Sequence, residues 1–200
     1  MPTLSLENIQ MLNQLRPGLI VLLCLTVLTG GVYPLVITGF AQLLFPAKAA
    51  GSLLLKDGKP IGSSLIGQNF TDPKHFWSRP SAAGSYPYNG LASAGTNLGP
   101  LNPALSDAVK QRVSDLRAAD PGNVAPVPVD LATSSASGLD PHISLAAALY
   151  QADRVARARG LDPSKVRELV AAHTETSVLG FLGEPRVNVL LLNLALDESK

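Results

Sequence analysis

From Pro17 to Ala47 the chain carries no Asp, Glu, Lys, Arg or His, and the run Leu19 to Phe45 reads LIVLLCLTVLTGGVYPLVITGFAQLLF. At the α-helical rise of 1.5 Å per residue this run is about 40 Å long, against roughly 30 Å for the hydrocarbon core of a bilayer. A soluble core helix of that length and uniform apolarity would have no side to turn toward water. Ala47-Lys48-Ala49 resembles a leader cleavage site, but the apolar region is about twice the usual 7–15 residues of a secretory leader. Before it stands only Arg16 against Glu7. The stretch predicts a retained single span over 16–45, after a short lead of 1–15 and before one soluble domain over 46–200.

The span has internal features. Gly30, Gly31 and Pro34 fall near its middle, where proline removes a backbone hydrogen bond and a helix kinks. Thr26, Gly30, Pro34 and Thr38 recur every four residues and place small or hydroxylated side chains along one ridge. Such ridges let two helix backbones approach closely in lipid, where packing drives association. They are read as a partner interface; a lone anchor with incidental small residues is the alternative.

A formal net charge of +1 gives no basic field for nucleic acid. The single cysteine, Cys24, lies inside the span, so the soluble part has neither a disulfide nor a thiolate metal site. With 17 Gly and 16 Pro in the whole chain, the soluble part is expected to be a loop-rich α+β domain. Lys48, Lys56 and Lys59 follow the span, but long domains translocate largely regardless of charge, so charge leaves the orientation open.

After the span, Leu53 to Lys56, Asp57-Gly58 and Lys59 to Ile61 read as a β-hairpin, Asp-Gly supplying the positive φ of a tight turn. From Asn69 to Asn102 no helical period is visible. Most of the soluble aromatics gather there, and Phe76, Trp77 and Arg79 have the composition of an interface anchor. The alternative is a satellite core under the loop.

Asn102-Pro103 predicts a helix start, with Leu105, Val109, Val113 and Leu116 as its buried stripe and Asp120-Pro121-Gly122 as its stop. Asn123 to Ala132, with Pro126 and Pro128 among valines, reads as extended chain. Ser144 caps a helix over 145–159 that ends at Gly160, and Asp162-Pro163 opens another to about His173. The run VNVLLLNLALD, from Val187, is apolar on nearly all sides except Asn188 and Asn193; it reads as a buried helix, a strand being the alternative.

Catalytic motifs are missing. No phosphate-binding G-x-x-x-x-G-K-[ST], G-x-S-x-G or H-E-x-x-H occurs, and His75, His142 and His173 read as ordinary hydrogen-bonded imidazoles. No catalytic and no metal-ligating residue is assigned. Asp140-Pro141-His142 and His173-Thr174-Glu175 flank predicted helix ends, where capping accounts for them. The glycine-rich loop with Ser93, Gly95 and Thr96 offers backbone N–H groups to an anion, yet it contains no Lys or Arg.

A set of ordered matches runs through the chain: Arg16-Pro17, Tyr33-Pro34, Gly67-Gln68 with Phe70, Phe76 to Ala82, Asn97 to Pro100 and Asn102-Pro103. They continue with Ser134 to Ser144, His173-Thr174-Glu175 and Leu182 to Val189. In these the sequence resembles the C subunit of the bacterial Kdp potassium-transporting ATPase over almost its whole length. The resemblance implies a complex with a channel-like potassium-binding subunit, a P-type ATPase subunit that binds ATP, and a small helical subunit. It implies a non-catalytic assembly and regulatory subunit in the bacterial inner membrane, with a cytoplasmic N-terminus and an extracytoplasmic C-terminal domain. It also implies support for the ATP affinity of the pump subunit, through an LSGGQ-like signature proposed to touch nucleotide. Here the nearest stretch, Leu91 to Thr96, has Ala94 in place of one paired glycine. A domain outside the membrane does not reach cytoplasmic ATP, so the effect would travel through the span as a coupling between pump states. The other class is an anchored extracytoplasmic binding or hydrolytic domain acting alone; co-purification of stoichiometric partners separates the two.

Overall fold

The structure, a computed structural model, describes residues 6–177 and 180–199; the first part of the expected lead 1–15 lies outside them. Two compact units divide at Ser52–Leu53. The N-terminal unit is almost entirely helical: α1 runs Leu6–Val27, α2 Tyr33–Leu44 and the short α3 Pro46–Ala49. Over Asn13–Leu44 it is long and apolar enough to cross a membrane, and none of that window is buried.

Between α1 and α2 lies a π turn, Leu28–Val32, where the Tyr33 N–H donates to the Leu28 carbonyl five residues back. The expected irregularity at Gly30, Gly31 and Pro34 takes this form. Pro34 has no N–H, and its ring would press on the carbonyl four residues earlier; a wider turn relieves that clash. The Thr26 and Thr29 hydroxyls donate to the Leu22 and Leu25 carbonyls at 2.8 and 2.7 Å, so both are satisfied within the helix.

The second unit starts with the antiparallel hairpin β1 (Leu53–Lys56) and β2 (Lys59–Ser63). Asp57 and Gly58 sit at φ 52° and 73°, the left-handed pair that the Asp-Gly turn required. Pro60 is tolerated because the sheet has two strands and each is an edge. Residues 69–102 contain no helix or strand.

The core lies farther on. Helix α4 (Pro103–Ala119) is capped by Asn102, whose side chain accepts from the Ala104 N–H at 3.0 Å. Of its expected stripe only Leu116 is fully buried, while Leu105, Val109 and Val113 are half-buried, so α4 is a peripheral helix. The segment expected to be extended as far as Ala132 instead closes into a helical turn, α5 (Val129–Ala132). Buried Leu131 and Ala132 hold it, and Asp130 accepts from the Ser144 N–H at 2.7 Å. Tertiary contacts override the proline-rich pattern there.

Strands β3 (His142–Ser144), β5 (Arg186–Asn188) and β4 (Thr174–Glu175) form a three-stranded antiparallel sheet in the order β3-β5-β4. Against it pack α6 (Leu145–Arg159) and α8 (Val189–Glu198), and α7 (Pro163–Ala172) packs in turn on these two helices. The buried face of α6 carries Ala147, Ala148, Ala152 and Ala156, small side chains that let α7 come close. Gly160 ends α6 in the left-handed conformation, φ 68°, and Asp162 caps α7 as the sequence predicts. The final apolar run divides: its first two residues, Val187 and Asn188, belong to strand β5, and Asn188 also caps α8, which is buried through Leu192 and Leu196. Helix was right from Val189 onward, and the strand alternative was right before it.

Candidate functional site

The aromatic loop is fastened by two buried side-chain amides. Asn193 on α8 accepts from the Phe76 N–H at 2.8 Å and donates to the Phe76 carbonyl at 3.0 Å. Gln151 on α6 does the same for Trp77, at 2.8 and 3.1 Å. A loop with no strand partner thus has its main-chain groups paired as if it lay beside one. Arg154 completes the fixture: it donates to the Pro73 and His75 carbonyls and to Gln151 Oε1, and lies 4.5 Å over the Trp77 ring. Burial lowers its pKa to about 10, so it is a cation at neutral pH.

Phe76 therefore departs from its expected interface role. It is fully buried in the domain core and offers no surface, because Asn193 draws the main chain inward at that point. Trp77 is half-buried against the core, and its indole N–H donates to the Asp72 carbonyl at 3.0 Å. Of the three side chains, Arg79 faces the surface cavities most: it lines one beside α4 and another beside β3. Thr26, Gly30, Pro34 and Thr38 lie along the exposed apolar helix of the N-terminal unit.

The sheet assembles a chain of alternating basic and acidic side chains that local reading of the sequence missed. Arg79 Nη1 is 3.4 Å from Asp140, whose other oxygen is 3.2 Å from His142 Nδ1. His142 Nε2 is 3.6 Å from Glu175, which also accepts from Arg186 Nε at 2.9 Å. Asp140-Pro141-His142 and His173-Thr174-Glu175 each looked like a helix-end cap. Antiparallel pairing of both flanking strands with β5 brings His142 and Glu175 together, while His173 turns to the Leu169 carbonyl at 2.9 Å.

Burial raises the Asp140 carboxyl, but hydrogen bonds from His142 and then the charges of His142 and Arg79 outweigh it and hold it below its ordinary value. Asp197 is likewise lowered on balance: burial raises it, and Arg159 and His75 outweigh that. A carboxylate with a depressed folded pKa stabilises above its unfolded pKa, and that stability is lost as pH falls through the folded value. Melting of the full chain is expected to drop as pH falls below about 4. Asp140→Asn should melt lower at neutral pH and show a shallower acid limb. An acid limb identical to that of the parent chain would refute Asp140's part in it.

The loop of Ser93, Gly95 and Thr96 is stitched to the chain at 134–138. The Ser93 hydroxyl and the Ala94 N–H both donate to the Ser137 carbonyl, at 3.0 and 2.9 Å. A Cβ added at Gly95 would stand 2.9 Å from the Ala136 carbonyl, so glycine serves close packing there. From Pro80 to Val109 there is no Lys or Arg to hold phosphate.

An apolar helix of spanning length followed by an α+β domain defines a membrane-anchored protein. A family model described as K+-transporting ATPase, c chain, matches residues 15–198. A potassium-transporting ATPase KdpC subunit of Polaromonas naphthalenivorans is 72% identical over 190 residues, covering 95% of this chain and 97% of the relative. The subunit of the same description from Variovorax paradoxus is 66% identical, covering 94% of this chain and 97% of its own. That of Methylococcus capsulatus is 61% identical, with 94% and 98% covered. The chain belongs to the KdpC family of K+-transporting ATPase c chains.

Proposed function

We propose that this chain is the non-catalytic accessory subunit of an ATP-driven potassium importer, stabilising the complex and raising the ATP affinity of the pump subunit without touching nucleotide. The observation that carries the reading is family membership across residues 15–198. By the resemblance, its partners are a channel-like potassium-binding subunit, a P-type ATPase subunit that holds the ATP, and a small helical subunit. The same resemblance supports a bacterial inner-membrane location with the domain over 46–200 outside the cytoplasm. The indirect route is supported by the Ser93–Thr96 loop, whose Ser93 hydroxyl and Ala94 amide are engaged by Ser137 and which lacks basic residues. Holding several phosphate charges requires charge-assisted donors that offset their desolvation.

Accessory action of this kind works by binding one pump conformation better than another. The purified complex without this subunit is expected to bind ATP roughly 5–150-fold more weakly, the usual range of a coupling between sites. The full chain alone in detergent should show no saturable ATP binding by calorimetry. Micromolar binding that depends on Ser93 or Thr96 would establish direct contact instead. An active, partnerless chain would favour a stand-alone anchored domain.

A further inference from the structure

Between the aromatic loop and α4 lies a groove of about 280 Å³, with Phe70, Trp77, Leu116 and Leu131 as its apolar lining and Arg79 and Arg112 in its wall. That volume suits one or two side chains rather than a drug-sized ligand. The two guanidinium groups converge on one residue: Arg79 Nη2 is 3.3 Å from the Ser134 carbonyl, and Arg112 Nη2 is 3.4 Å from the Ser134 hydroxyl. Two like charges are thereby held side by side.

Their neutralisation is incomplete. Arg112 donates to the Ala132 carbonyl at 2.9 Å and to Ser134, both neutral acceptors, and makes no ion pair among the described residues. Arg79 reaches Asp140 at 3.4 Å, but Asp140 is shared with His142. The Arg79 Nε is buried without a hydrogen-bond partner among the described residues. Asp115, the one carboxylate in the groove's lining, accepts from Gln111 at 2.8 Å and pairs with neither arginine. Partly buried guanidinium groups short of anionic partners favour an incoming carboxylate, which each can hold with a charge-assisted bond. Beside them, apolar and aromatic walls favour an apolar neighbour of that carboxylate.

We propose that this groove receives an acidic side chain, flanked by an apolar residue, from another subunit of the transport complex, the carboxylate lying between Arg79 and Arg112. The proposal rests on the reading of the chain as a subunit. Arginine and aromatic groups of this kind dominate interface energies once desolvated.

The test uses the intact complex carrying Arg112→Lys, treated with a carbodiimide, which joins an amine directly to a carboxylate. Peptide mapping should find position 112 joined to an Asp or Glu of another subunit. Arg112→Glu should lower recovery of the complex roughly tenfold or more, by repulsion at the same place. If that variant melts far below the parent chain, the cross-link alone decides. An amine joined only to Asp115 or Asp140 of its own chain, or to nothing, in a complex that still assembles would overturn the proposal. A phosphate or lipid headgroup in the groove would likewise leave no protein cross-link. Failure of the parent complex to assemble at all would instead overturn the subunit reading, and the groove with it.

Discussion

Asn193→Leu is expected to lower the melting temperature of the full chain by roughly 10 °C. The leucine side chain keeps the branching and heavy-atom count of asparagine but is bulkier, so lost hydrogen bonds and some overpacking act in the same direction. The substitution leaves the Phe76 N–H and carbonyl buried without partners, and each such group costs about 1–3 kcal/mol. A loss of about 2–6 kcal/mol is a large part of the 5–15 kcal/mol that holds a typical domain folded. The chain has one tryptophan, next in sequence to the released residue, so its fluorescence should move toward that of a solvated indole. Asn69→Leu, an exposed change in the same loop, should leave the melting within about 0.5 kcal/mol of the parent chain. If both variants melt alike, the amide is not what fastens the loop.

Gly30→Leu is expected to leave the isolated chain intact yet reduce recovery of the complex roughly tenfold or more. A Cβ added at Gly30 meets nothing within 4 Å outside its own helix backbone, so a loss of complex from an intact chain points to a partner. In a regular helix, residues four apart advance by about 40° around the axis, and a ridge built on them soon turns away from a straight partner. The π turn widens the winding at Leu28–Val32 and reduces that advance, so Thr26, Gly30 and Pro34 stay closer to one line. Val32→Leu, two residues on and across the helix, should cost the complex little. Equal recovery of both variants would remove the ridge as an interface.

Local chemistry made much of the fold legible. Asp57-Gly58, Asn102-Pro103, Ser144, Gly160 and Asp162 each fix a boundary through their own φ or their own capping oxygen. The division of the last apolar run could not be read that way. Val187 is in a strand because His142–Ser144 and Thr174–Glu175 pair on either side of it, a fact of sheet order rather than of sequence period. The same distance in sequence hid the chain of basic and acidic groups from Arg79 to Arg186. Asn193 stood out in an otherwise apolar run, but nothing near it pointed to a loop 117 residues earlier. Phe76 and Trp77 are adjacent, and composition could not tell that one is core and the other half-exposed.

The pair of amides that fastens Phe76 and Trp77 also orders events as the chain is made. Its second member lies on α8, the last described helix, Val189–Glu198, which also delivers Leu192 and Leu196 to the core and lends Asn188 to the Ser64 carbonyl. A ribosome emits the chain from its N-terminus, so the span and the aromatic loop are complete long before their fastener is translated. Until then the Phe76 N–H and carbonyl can be satisfied only by water, although Gln151 and Arg154 on α6 are already in place for the neighbouring main chain. Closure of the domain therefore waits for α8, and a chain truncated within that helix is left open, a ready substrate for proteolysis.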